Sequence, residues 1–203
     1  MSTTPAVPPA PAGSATVDPF IWTDDAAGLI EFLVDVFDAV EVSEARTLDT
    51  DGLILHSELR IGDSTLTIAE RKPDWPYTPA FVRVYVHDPA ATLERAVARG
   101  ARIVTEPTDF WGDVLSRFAD PFGHLWWVYK HNPGDVSWDE EPTSGKGESD
   151  WGSTDSAADD AREQSWESFT TPELESIHSS LMEAMSSLRD PRDRRPATDG
   201  TGS

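Results

Sequence analysis

Cysteine is missing from all 203 residues, which excludes disulfide staples, thiolate ligands and thiol catalysis. Positive charge is scarce: 16 Lys and Arg stand against 37 Asp and Glu, a formal net charge of −21. Such a surface repels nucleic acid and anionic membrane and attracts cations, basic ligands among them. No run of about twenty apolar residues is present that could span a bilayer. Residues 1–17, MSTTPAVPPAPAGSATV, carry neither the basic start nor the apolar centre of a secretion signal. The expectation is a cytoplasmic protein with no nucleic-acid or membrane partner.

What is present centres on Phe110 to Lys130, FWGDVLSRFADPFGHLWWVYK. Asp120-Pro121-Phe122-Gly123-His124 supplies a preset φ and a permissive φ for a tight turn. The flanks, Val114 to Ala119 and Leu125 to Tyr129, are branched and aromatic, as strands prefer. A weaker copy of this hairpin lies upstream: Leu53 to Ile61, the turn Gly62-Asp63-Ser64, then Thr65 to Ala69. Each hairpin follows a strand and a helix. In the first copy Phe20 to Thr23 is the strand, Asp24 or Asp25 the cap, and Leu29, Ile30, Leu33, Val34 and Phe37 recur at helical spacing. In the second, Phe81 to Val86 is the strand, Asp88 the cap and Pro89 the first helical residue. Leu93, Ala96 and Val97 then face inward and Gly100 ends the helix. Val40 to Arg46 and Arg102 to Thr105 complete two βαβββ modules, an α+β fold.

Composition divides the chain. Residues 1–17 form a Pro/Ala-rich leader expected to be disordered, and residues 18–134 the domain. Residues 135–169 read as a disordered acidic linker holding Trp138, Trp151 and Trp166, too polar to offset the entropy of ordering. Residues 170–189 read as an amphipathic helix, capped by Thr170 or Thr171, with Leu174, Ile177, Leu181, Met185 and Leu188 on its stripe. That stripe is expected to dock on its own domain or a dimer mate, with a protein partner anchored by Trp151 and Trp166 as the alternative. Residues 190–203 form a polar tail.

The paired modules, the Ile61-Gly-Asp-Ser64 turn, Ala98-Arg-Gly-Ala101, Phe110-Trp-Gly-Asp113 and Asp120-Pro-Phe-Gly-His124 resemble the vicinal oxygen chelate superfamily. That group includes glyoxalase I, extradiol dioxygenases and bleomycin-resistance proteins, and the resemblance is to its bacterial glyoxalase-like branch, over residues 18–134. It implies curved mixed sheets around a cavity, commonly built from two chains, and so a homodimer. It also implies that any divalent metal would be held at Asp18, Thr67, Phe81 or Val82, and Trp127. Three of those positions offer no lone-pair ligand suited to such an ion, so no metal or other cofactor is expected, a divalent metal remaining the alternative. Glu70, the nearest carboxylate, reads as a solvated partner of Arg71 and Lys72.

The residues expected to line the cavity are Trp22, His56, Glu58, Thr67, Phe110, Trp111, Arg117, Trp127 and Tyr129. Their aromatic share suits stacking on flat, apolar or cationic ligands. His56 and Glu58 share a strand face and are the candidate acid and base. Asp113 and Arg117 could meet a polar ligand, while His124 is expected to hold its turn and Trp126 to face the core. Two functions follow: a metal-free protein that sequesters an aromatic or cationic small molecule, or a superfamily enzyme with an unusual metal site or a His56/Glu58 pair.

Overall fold

Pro, Gly and Asp set the element boundaries, and side-chain alternation sets what each element buries. The computed structural model describes residues 15–133 and 171–194. Most of the leader, the whole acidic linker with its three Trp, and the end of the polar tail lie outside the described residues.

Strand β1 (Phe20–Thr23) alternates exposed and buried side chains and leads into helix α1 (Ala26–Phe37). Asp25, not Asp24, caps α1, its carboxylate accepting from the Gly28 amide at 2.8 Å. Strands β2 (Val40–Leu48), β3 (Ile54–Ile61) and β4 (Ser64–Glu70) complete the first module. The second repeats the order with β5 (Phe81–Tyr85), α2 (Pro89–Ala98), β6 (Arg102–Phe110), β7 (Asp113–Ala119) and β8 (Leu125–Lys130). Asp88 caps α2 through the Ala91 amide, and Pro89 opens it where a missing N–H costs nothing.

Each module makes one four-stranded mixed sheet, ordered β1-β4-β3-β2 and β5-β8-β7-β6. The β1/β4 and β5/β8 pairs are parallel and the remaining pairs antiparallel. Neither sheet closes on itself, so β1 and β5 remain edge strands. The helix-facing sides of both sheets share one core. Ile21, Leu59 and Ile68 of the first sheet and Phe118, Trp126 and Val128 of the second enclose α1 and α2. Phe37 joins the modules, its ring centroid 6.0 Å from that of Phe118 and 5.3 Å from that of Trp126. Burying each of these aromatic side chains contributes roughly 2 to 3 kcal/mol.

Two helix positions differ from the sequence reading. Val34 and Val97 are exposed, while Phe32 and Val36 are buried. The α1 stripe is wider than a single sheet demands, because Phe32 also packs on Phe118 and Phe122 of the second module.

Helix α3 (Pro172–Ser187), capped by Thr171, lies against β6 of the second sheet. It buries Ile177 and Ala184 and leaves Met185 exposed. The contact follows small residues rather than the stripe of larger ones, since Ser180 and Ala184 let the helix approach closely enough for Ser180 Oγ to bond Thr105 Oγ1 at 2.8 Å. Within the stretch read as a polar tail, Asp190 grips Arg71 through both carboxylate oxygens at 2.8 and 2.6 Å. Arg192 donates to the carbonyls of Arg71, Lys72 and Pro73.

Candidate functional site

The side chains opposite the shared core define two outer faces, one per sheet. Register decides their membership. On the first sheet Phe20 lies opposite Thr67, which lies opposite Glu58, and Trp22 lies opposite Ala69. Alternation brings Phe20, Trp22, His56, Glu58 and Thr67 to one side.

Three aromatics on this face stay open to solvent: Phe20 at 49%, Trp22 at 42% and Trp75 at 42% exposure. They form a continuous strip, with Phe20 5.3 Å from Trp22, Trp22 5.4 Å from Trp75 edge-on, and Phe20 6.3 Å from the His56 ring. His56 Nε2 sits 3.3 Å from Glu58 Oε1. The site is therefore an aromatic platform with a carboxylate–imidazole pair at its side. Trp75 was not foreseen: it belongs to the β4–β5 loop, and an aromatic residue among prolines, Pro73-Asp-Trp-Pro76, was its only signal.

The other expected residues lie on the second sheet. Trp127 is opposite Arg117 on one side and Arg83 on the other, and Tyr129 is opposite Leu115 and Tyr85. Helix α3 covers part of this face, so that Leu115, Tyr129 and Ile177 form a small second core with Phe110 and Trp127 at its margin. Trp111 stacks on Phe110 at 5.4 Å at the tip of the β6–β7 hairpin, with a left-handed φ of 53° that a bulky residue adopts only under strain.

The nine residues expected around one cavity thus fall into two groups on two sheets, each face turned away from the common core. A single chain does not bring Trp127 to His56. Asp113 and Arg117 do not meet either: Asp113 accepts from the Asn132 amide and pairs with His131, while Arg117 is buried under α3. A cavity of about 510 Å³ does exist between the modules, but it is lined by Asp38, Asp63, Arg83, His87 and Arg95 among others; it includes Val82 of the implied metal positions and none of the nine residues expected to line a ligand cavity.

The metal positions can be tested on donor chemistry. Opposite Trp127 on β5 stands Arg83, while Phe81 is opposite Leu125 and Val82 packs against the core. Thr67 is flanked by Phe20 and Glu58. Among the described residues no three His, Asp or Glu side chains are grouped so as to hold a metal ion. Of the carried-over positions only Asp18 offers a donor suited to a divalent ion, so these residues do not by themselves fit the superfamily's metal.

Two polar clusters support the fold near these faces. Glu70 is no solvated partner of Arg71: it accepts from the Ala26 amide at 2.9 Å, and burial raises its pKa. Arg71 is buried with Asp190 and Asp24, whose hydrogen bonds raise its pKa against the lowering effect of burial. In the Asp120 turn, the buried carboxylate accepts from the Phe122 and His124 amides and from Trp126 Nε1. Burial raises the Asp120 pKa, while His124 and those donors pull it down. His124 Nδ1 accepts from the Ala80 amide, tying the turn to β5, and burial keeps the imidazole neutral by lowering its pKa.

Residues 15–128 match the family model of the Glyoxalase/Bleomycin resistance protein/Dioxygenase superfamily. Uncharacterised proteins of Mycobacterium bovis and Mycobacterium tuberculosis are 36% identical over 122 residues, covering 54% of this chain and 79% and 71% of theirs. Among solved structures, TioX from Micromonospora sp. ML1 is 23% identical, with 60% of this chain and all of that one covered and a TM-score of 0.47. The fosfomycin resistance protein FosX from Mesorhizobium loti is 17% identical, with 59% and 93% covered and a TM-score of 0.45.

Proposed function

The chain belongs to the Glyoxalase/Bleomycin resistance protein/Dioxygenase superfamily, and within it we propose a metal-free protein that binds a flat, cationic aromatic small molecule on the outer face of its first sheet. One observation carries the reading: the open strip of Phe20, Trp22 and Trp75 beside Glu58. Large apolar side chains held in solvent next to one another mark a contact surface. Aromatic faces attract cations, and Glu58 adds a local negative charge to that of the whole chain. A second copy of the chain completes the site, because a single sheet leaves the platform open on one side and the edges of β1 and β5 unpaired.

The test is titration of the full chain with a planar cationic dye such as proflavine, followed by tryptophan fluorescence. Trp22→Ala should weaken binding by roughly 1 to 3 kcal/mol, about 5- to 150-fold, and Glu58→Gln by less, with the fold intact by circular dichroism. Equal affinity in Trp22→Ala would remove the site from this face.

The His56–Glu58 contact favours one other reading, a superfamily enzyme that holds a divalent ion in an unusual place at this pair. Protein purified without chelator discriminates. One tightly held divalent ion per chain, lost on His56→Ala or Glu58→Ala, would establish the enzyme reading over the binding one.

A further inference from the structure

Arg117 has a role that its neighbours do not explain. It projects from the outer side of β7, is only 4% exposed, and has no carboxylate within ion-pair distance among the described residues. Its Nη1 donates to Thr105 Oγ1 at 3.2 Å and to the Ile177 carbonyl of α3 at 2.7 Å, both neutral acceptors, and its buried Nε has no partner. The chain carries 37 acidic residues, and α3 itself carries Glu173, Glu175 and Glu183, yet none is placed on this guanidinium. Burying an unpaired charge costs several kcal/mol, and burial indeed lowers the Arg117 pKa.

The surroundings suit a flat anion. The Arg117 guanidinium lies 5.2 Å from the centre of the Trp127 ring. A second cation, Arg83, lies over the rings of Tyr85 and Tyr129 at 5.4 and 5.6 Å on the same face. An aromatic carboxylate would stack on Trp127 and meet Arg117 through two parallel N–H···O bonds, the geometry a guanidinium favours.

What occupies the position now is the chain's own α3, with a single main-chain carbonyl where an anion would make two charged contacts. The helix is held at its far end by Asp190 on Arg71 and by Arg192 on Asp24 at 2.6 Å. We propose that the outer face of the second sheet is a binding site for aromatic carboxylates, that α3 occupies it in their absence, and that the Asp190 latch governs how readily α3 leaves. The site is independent of the cation platform on the first sheet.

The probe is 2-naphthoate, titrated into the full-length chain by calorimetry, with amide hydrogen exchange reporting α3. Asp190→Asn weakens the latch while Arg71 keeps Asp24 as counter-ion. It should speed exchange across residues 172–187 and tighten naphthoate binding at least tenfold. Arg117→Met in that background should abolish binding without unfolding the domain, and Trp22→Ala should leave it unchanged. If Asp190→Asn does not loosen α3, Ile177→Ala, which removes the apolar side chain that α3 buries against the sheet, is the second opening variant. Faster exchange without tighter binding in either variant overturns the proposal. So does full binding after Arg117→Met, or an α3 that stays protected in both.

Discussion

At the scale of single residues, adjacent tryptophans have opposite environments. Trp126 is fully buried, stacked on Phe118 and tilted against Phe37, with Nε1 donating to Asp120 at 2.8 Å. Trp127 is half-buried, meeting Phe81 edge-on at 6.0 Å. Trp126→Ala should cost about 3 to 5 kcal/mol of stability by opening a cavity and stranding the Asp120 oxygen. Trp127→Ala should cost about 1 to 2 kcal/mol, in proportion to the apolar area it hides. Urea midpoints of the two variants decide the order, and a larger loss at Trp127 would contradict the β8 register. His124 gives a pH dependence. Its folded-state pKa lies below its ordinary value of 6.5, so the unfolded chain binds the proton more readily than the folded one. Stability is therefore unaffected by this group above about pH 7 and declines as pH falls through 6.5 towards the folded-state value. The urea midpoint should drop between pH 7 and pH 5, and His124→Asn, which keeps an acceptor for the Ala80 amide, should reduce that slope.

Single elements show the same competition between local and longer-range preference. Gly28 lies in the first turn of α1, where Ala would ordinarily add about 1 kcal/mol. A Cβ there would stand 2.5 Å from the Asp25 carboxylate oxygen, the same carboxylate that caps the helix. Gly28→Ala should therefore lose the cap, worth about 1 kcal/mol, as it gains propensity, with little net change. In the Asp25→Ala background the gain should reappear, and thermal unfolding of the four chains closes that cycle. Helix α3 follows a comparable rule. Its larger apolar side chains predicted one docking face, but close approach to β6 selected Ile177, Ser180 and Ala184, and left Met182 and Met185 outside.

For the whole molecule, the unpaired edges of β1 and β5 and the uncovered aromatic face point to association of two chains. Light scattering at micromolar concentration should give the dimer mass, and a monomer there would refute it. Truncation after Gly134 is the control for whether α3 contributes. Among the described residues no helix is long and apolar enough to cross a membrane.

Most of the architecture was legible in the chain because its signals are local. A Pro, an Asp cap or a turn glycine acts on its immediate neighbours, and side-chain alternation places Trp126 and Trp127 on opposite faces whatever lies beyond the sheet. The two βαβββ modules, their order and the orientation of β8 follow from that alone. What the sequence left open depends on contacts between distant segments. The modules share a core through α1 and α2, so each sheet turns its other face outward and the expected lining residues separate into two groups. Asp190 meets Arg71 across 119 positions, and Arg117 finds its acceptor on a helix 60 residues away. No periodicity within a strand or helix carries that information, because docking is set by the shapes of two finished surfaces. Tertiary structure alone decided that the aromatic face of the first sheet stays open and that of the second is partly covered by α3.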